Sequence, residues 1–131
     1  SLAKRMTAAR AEQAFYTEQP FVIRMPASEL ELGLTSEEPI LIQGIIDAFF
    51  YEKNEKGEEE IVVVDYKTDY VKSGGELLEK YKKQLDYYEI ALKRLTGKRV
   101  KEKVIYSFCL KSEIPVEKMQ EDRKQGHGAG D

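Results

Sequence analysis

The stretch from Gln43 to Lys67 constrains the fold of this chain more than any other. It holds two apolar runs of strand length, one around Ile45, Ile46, Ala48, Phe49 and Phe50, the other from Ile61 to Val64. The charged segment Lys53-Asn54-Glu55-Lys56-Gly57-Glu58 separates them. β-Branched and aromatic runs around such a turn predict an antiparallel hairpin, with strands over about 40–51 and 60–66 and positive φ at Asn54 and Gly57. Each strand carries a carboxylate out of place: Asp47 inside the first run and Asp65 at the end of the second. Strand interiors seldom hold carboxylates, and charges are seldom buried unpaired. A hairpin centred near Lys56 sets Asp47 roughly opposite Asp65, with Cβ atoms about 4.5–5.5 Å apart on one face. A slip of one residue would separate them. Lys67, two residues on from Asp65, shares its face.

The rest of the chain supplies elements to cover that hairpin. Leu2, Met6 and Ala9 at helical spacing predict a helix up to about Arg10, with nothing before Ser1 to cap it. That abrupt start suggests an excised piece of a longer protein. Two short apolar runs follow, Ala14 to Tyr16 and Phe21 to Met25; Pro20 and Pro26 bracket the second, so each run predicts a separate strand. Residues 27–39 read as a polar connection. Thr68 to Lys72 reads as a loop, and Ser73-Gly74-Gly75-Glu76 has the form of a capping box. The helix it opens carries Leu77, Tyr81, Leu85, Tyr88, Leu92 and Leu95 as an apolar stripe and stops at Gly97. A strand over about 103–110 follows, with Val104, Tyr106 and Phe108 on one face. The polar, glycine-rich residues 117–131 read as a flexible tail.

The sequence length of 131 residues suits one domain with a single core. No apolar run approaches the roughly 20 residues that span a bilayer. The first residues mix Lys4, Arg5 and Arg10 with alanines and do not form a secretory signal. The only cysteine, Cys109, excludes an internal disulfide and fits a reducing, cytoplasmic setting. A net charge of −3 does not mark a nucleic-acid binder, and local charge is more informative. Lys93 to Lys103 is strongly basic and Glu52 to Glu60 mostly acidic. Both fit solvated turns, and the basic one also fits contact with a phosphate backbone.

Asp47, Asp65 and Lys67 together carry a chemistry. Mg²⁺ takes hard oxygen ligands and keeps several waters, so two carboxylates and a main-chain carbonyl, such as that of Tyr66, suffice. A cation there polarises a phosphoryl oxygen, and an adjacent lysine orients water or stabilises charge on the phosphate. The same three residues also fit an exposed hairpin end with Lys67 paired to one carboxylate. On the helix, Gln84 and Tyr88 are four apart and share a face. Tyr88 also fits the apolar stripe, with Gln84 at its edge.

Gly44-Ile45-Ile46-Asp47, then Val64-Asp65-Tyr66-Lys67-Thr68-Asp69, then Gln84-Leu85-Asp86-Tyr87-Tyr88 resembles the RecB-type nuclease family of the PD-(D/E)xK superfamily. Within it, the likeness is to the C-terminal nuclease domain of AddA-type subunits of bacterial ATP-dependent helicase–nucleases, and it covers roughly residues 1–110. The resemblance implies an α/β, restriction-endonuclease-like mixed sheet flanked by helices, in a partial domain over 1–116. It implies Asp47 and Asp65 as Mg²⁺ ligands, Lys67 as the catalytic lysine, and Gln84 and Tyr88 as accessory residues near the metal and the DNA. The implied function is metal-dependent DNA hydrolysis, as an exonuclease, in double-strand break repair and recombination, the partners being DNA and a second subunit. The alternative is a nuclease-fold module that binds DNA or a partner without cutting. Two features depart from the family. Ile46 stands where the superfamily has a proline, and the family's upstream helical histidine has no counterpart; the only histidine, His127, lies in the tail and reads as solvated. In a longer chain that histidine would precede Ser1. A G-x-x-x-x-G-K-[ST] phosphate loop, the mark of a helicase motor, is also absent from this sequence.

Overall fold

A computed structural model describes residues 1–26 and 38–117. The polar connection and the tail therefore lie outside the described residues except at their margins. Helix α1 (Leu2–Ala11) leads into strands β1 (Phe15–Pro26), β2 (Pro39–Lys53) and β3 (Glu59–Lys67). Helix α2 (Gly74–Thr96) then crosses to β4 (Val100–Ser107) and β5 (Ser112–Val116). The five strands form one sheet in the order β1-β2-β3-β4-β5. Only β3 and β4 are parallel; the other neighbours run antiparallel. Parallel neighbours need a long crossover, and α2 is that connection. The result is the mixed, helix-flanked α/β sheet that the sequence implies.

Each helix covers its own face. Leu77, Leu85, Tyr88, Ala91 and Leu92 of α2 pack on Phe49, Ile61, Val63 and Ile105. Leu2 and Ala9 of α1 pack on Ala48, Phe50, Val62, Val64 and Val104. Ile61 to Val64 are buried on both faces, as expected of a central strand. Leu95 is 60% exposed, so the stripe of α2 ends at Leu92.

Several local expectations are corrected. Pro20 does not divide the first apolar runs: β1 is one strand, and as the sheet edge it can leave a proline without a donor. Helix α1 is capped, because Ser1 Oγ accepts from Lys4 N at 3.3 Å. Ser73 caps α2 by backbone position alone, with no side-chain bond. Gly57 has positive φ (+82°) but Asn54 does not. Instead Asn54 Oδ1 accepts the N–H groups of Lys56 (2.9 Å) and Glu58 (3.0 Å), so the turn is held by a side chain. Strand β4 begins and ends earlier than expected, leaving Phe108 beyond its end and 52% exposed. Strand β5 was not anticipated.

The acidic and basic segments meet each other rather than solvent alone. Arg99 pairs with Glu60 (2.9 Å), Lys101 with Glu52 (2.9 Å), and buried Lys103 with Asp86 and Glu89 (both 2.7 Å). Arg5 of α1 joins the cluster, donating to both oxygens of Glu52 and to Glu102. Cations so occupied are poor candidates for a phosphate track.

Candidate nuclease centre

The site forms where two strands lose regularity. The β1–β2 ladder pairs Thr17 with Ala48 and Gln19 with Ile46, and skips Glu18 and Asp47 between them. Glu18 has φ +51°, a left-handed conformation unusual for a side chain of its size. Phe49 and Ile46 both pack toward α2, although positions three apart in a regular strand point oppositely. Strand β2 therefore changes face across Asp47. Its ladder with β3 ends at Ala48–Val64, one pair before the carboxylates. There Asp47 Oδ2 accepts the N–H of Tyr66 at 2.9 Å, a side chain taking the place of the next main-chain acceptor.

Asp65 lies at the carboxyl end of β3, only 1% exposed. Lys67 Nζ sits 2.8 Å from its Oδ2 as an ion pair. A carboxylate buried this deeply is costly and calls for an explanation. Desolvation first, and Asp47 beside it, push the Asp65 carboxyl up to about 6, against the lowering effect of Lys67.

Helix α2 closes the site from above. Lys67 Nζ donates to Gln84 Oε1 at 3.0 Å. Tyr88, one turn further, is buried with its ring edge-on to Phe21. Burial, then Asp65 and Asp47, raise its phenol above the usual range. The structure thus brings Asp47, Asp65, Lys67, Gln84 and Tyr88 together, with Tyr66 linked through its peptide N–H. Two further residues join the site without a role assigned from the sequence: Tyr81, read as part of the apolar stripe, and Asp69, part of the Val64–Asp69 motif. The Tyr81 ring lies 3.9 Å below Lys67 Nζ, and its hydroxyl donates to Asp69 Oδ2 at 2.9 Å. The signal was present: Tyr81 is three residues before Gln84, on the same helical face.

The residues fit a divalent cation. Asp47 and Asp65 set hard carboxylate oxygens close enough to repel one another, and a cation held by both would offset that repulsion. Among the described residues no three of His, Cys, Asp and Glu group together. A Mg²⁺ ion that retains waters requires fewer protein ligands than that.

A five-stranded mixed sheet flanked by two helices, with this grouping at the end of β3, matches the restriction-endonuclease-like fold. The chain matches the PD-(D/E)XK nuclease superfamily over residues 1–128, and it belongs to that superfamily. It is 44% identical over 109 residues to the A-type subunit of the ATP-dependent helicase/nuclease of Clostridium beijerinckii, covering 79% of this chain and 8% of the relative. The corresponding protein of Clostridium perfringens strain SM101 is 40% identical over 124 residues, 89% of this chain and 9% of the relative. That of Clostridium botulinum strain Alaska E43 is 45% identical over 102 residues, 76% of this chain and 8% of the relative. The RecB-type likeness seen in the motifs is thereby borne out. The chain spans 8–9% of the length of these relatives. No helix among the described residues is long and apolar enough to cross a membrane.

Proposed function

We propose that this chain carries a Mg²⁺-dependent DNA nuclease centre and works within a helicase–nuclease like its relatives. The observation that carries the reading is the buried Asp65 carboxylate beside Asp47, with Lys67 Nζ 2.8 Å from its Oδ2. Asp47 and Asp65 would hold the cation, with the Tyr66 carbonyl as a third oxygen. When bound, it supplies Lewis-acid polarisation of a phosphodiester and acidifies water. Lys67 brings positive charge to where negative charge develops on the phosphate, or a donor to the attacking water. Gln84 fixes the direction of that ammonium through its 3.0 Å bond. Tyr88 walls the site on the α2 side and limits water around the carboxylates. The names of the relatives support a nuclease role beside a helicase and a second subunit. With the motif resemblance they favour DNA as substrate and a cytoplasmic role in end processing for double-strand break repair.

The test is cleavage of linear single-stranded DNA by this chain with and without Mg²⁺, beside Lys67→Ala. Metal-dependent cleavage lost in Lys67→Ala supports the reading. DNA binding without cleavage, by this chain and by a version extended upstream, would instead favour a non-catalytic module. Thermal melts of Asp47→Ala separate binding from chemistry. Mg²⁺ should raise the melting temperature of the wild type and not of the variant, and equal stabilisation of both would sink the metal assignment.

A further inference from the structure

We infer that Tyr81, clamped by Asp69, is a positioning residue that fixes the ammonium of Lys67 against Asp65 and Gln84. The inference rests on the nuclease reading for its meaning and on geometry for its support. A lysine side chain has four flexible carbons and a point charge, so its head must be held by its surroundings. Here it is held on three sides. Gln84 Oε1 accepts at 3.0 Å, Asp65 Oδ2 lies at 2.8 Å, and the face of the Tyr81 ring lies 3.9 Å away. The ring offers its negative face to the cation, an attraction that grows as water is excluded. Lys67 is only 15% exposed, so water competes weakly.

The ring is itself fixed. Its hydroxyl donates to Asp69 Oδ2 at 2.9 Å, and the same oxygen pairs with Lys80 at 2.8 Å. Asp69 lies on the segment leaving β3, two residues after Lys67. One end of the clamp is therefore tied to the strand that carries the lysine, and the other to the helix that carries Gln84. Tyr81 also packs against the α2-side core. Packing alone requires neither the ring face turned to a cation nor the hydroxyl anchored to that segment.

The test uses Tyr81→Phe, which keeps the ring, and Tyr81→Leu, which keeps bulk but removes the face. In metal-free protein, NMR should find the Lys67 Hε protons shifted upfield by the ring. The shift should shrink in Tyr81→Phe, which keeps the face but loses the Asp69 anchor, and vanish in Tyr81→Leu. In Mg²⁺-dependent cleavage, Tyr81→Leu should lose about tenfold in kcat, about 1.4 kcal/mol, with Tyr81→Phe between it and the wild type. KM should change by less than about twofold in both, because a lost positioning contact acts on the transition state. An unchanged Lys67 resonance in Tyr81→Leu, or a wild-type kcat there, overturns the proposal. If Tyr81→Leu does not fold, Asp69→Ala serves: it removes the acceptor of the Tyr81 hydroxyl outside the core and should reduce the upfield shift, and a full shift overturns the proposal. If the wild type cuts no DNA, the nuclease reading falls, and the metal-free resonances alone decide whether the clamp exists.

Discussion

Replacing Asp65 with asparagine should make the metal-free protein more stable at neutral pH. The carboxyl is 1% exposed and lies beside Asp47. Burial is the largest cause that moves its ionisation from 3.8 to about 6, with Asp47 adding and Lys67 opposing. That displacement corresponds to about 3 kcal/mol. The attraction of Lys67 is already inside the figure, because asparagine resembles the neutral acid in shape and polarity. Between about pH 4 and 6 the folded wild type keeps a proton that the unfolded chain has released. The contribution of Asp65 to stability is thus fully present below about pH 4 and lost as the pH rises through about 6. The asparagine variant has no such proton to lose. It should match the wild type near pH 4 and exceed it by about 3 kcal/mol above pH 7, or roughly 5–15 °C in melting temperature. Urea and thermal melts in EDTA at the two pH values measure this. Equal stabilities at neutral pH, or a difference of the same size at both, would refute the argument. Added Mg²⁺ should reverse the order at about a thousandfold excess over Kd, because binding there stabilises only the wild type, by about 4.1 kcal/mol.

Three further outcomes follow from other parts of the molecule. Gln84→Ala removes the oxygen that accepts a hydrogen bond from Lys67; kcat should fall about tenfold in cleavage assays, while urea melts shift by less than about 1 kcal/mol. Arg5 first, and Lys101, hold the Glu52 carboxyl down to about 2, so its stabilisation is present above about pH 4.5 and lost as pH falls toward 2. Arg5→Gln should therefore move the acid unfolding midpoint, followed by circular dichroism, to higher pH. Gly97 ends α2 at φ +72° with open space around it, so Gly97→Ala should cost about 1 kcal/mol of backbone strain in urea melts, with no change in cleavage.

The parts of the fold legible in the sequence are those governed by one periodicity over a long span. Strands β2 and β3 and helix α2 fall where their apolar patterns place them, because a two- or 3.6-residue repeat over several turns leaves little alternative. The misreadings gather at the sheet edges. Pro20 in β1 and Pro115 in β5 both stand in edge strands, where a missing donor faces away from the ladder. Read locally, proline ends a strand. Strand β5 adds only two buried residues, Ile114 and Val116, too short a pattern to register. The partnering of acidic and basic segments was illegible for another reason: Glu60 and Arg99 are brought together by the β3–α2–β4 crossover, which no local charge pattern encodes.

The site shows the same division more sharply. The carboxylates were visible because they interrupt apolar runs, and counting back from the turn set them opposite one another. The hairpin register agrees with that count, yet the ladder stops one pair short and Asp47 bonds to the Tyr66 backbone instead. Alternation along β2 could not reveal this, since the strand changes face at that point. An apolar pattern records that a residue is covered but not which side of it does the covering. Tyr81 satisfied the stripe of α2 and so needed no other explanation. Its second role depends on a cation arriving from β3 and an acid from the following loop. Residues that break a pattern identify themselves in a sequence. Residues that satisfy the pattern and also act on the site become visible only when their neighbours from other elements are in place.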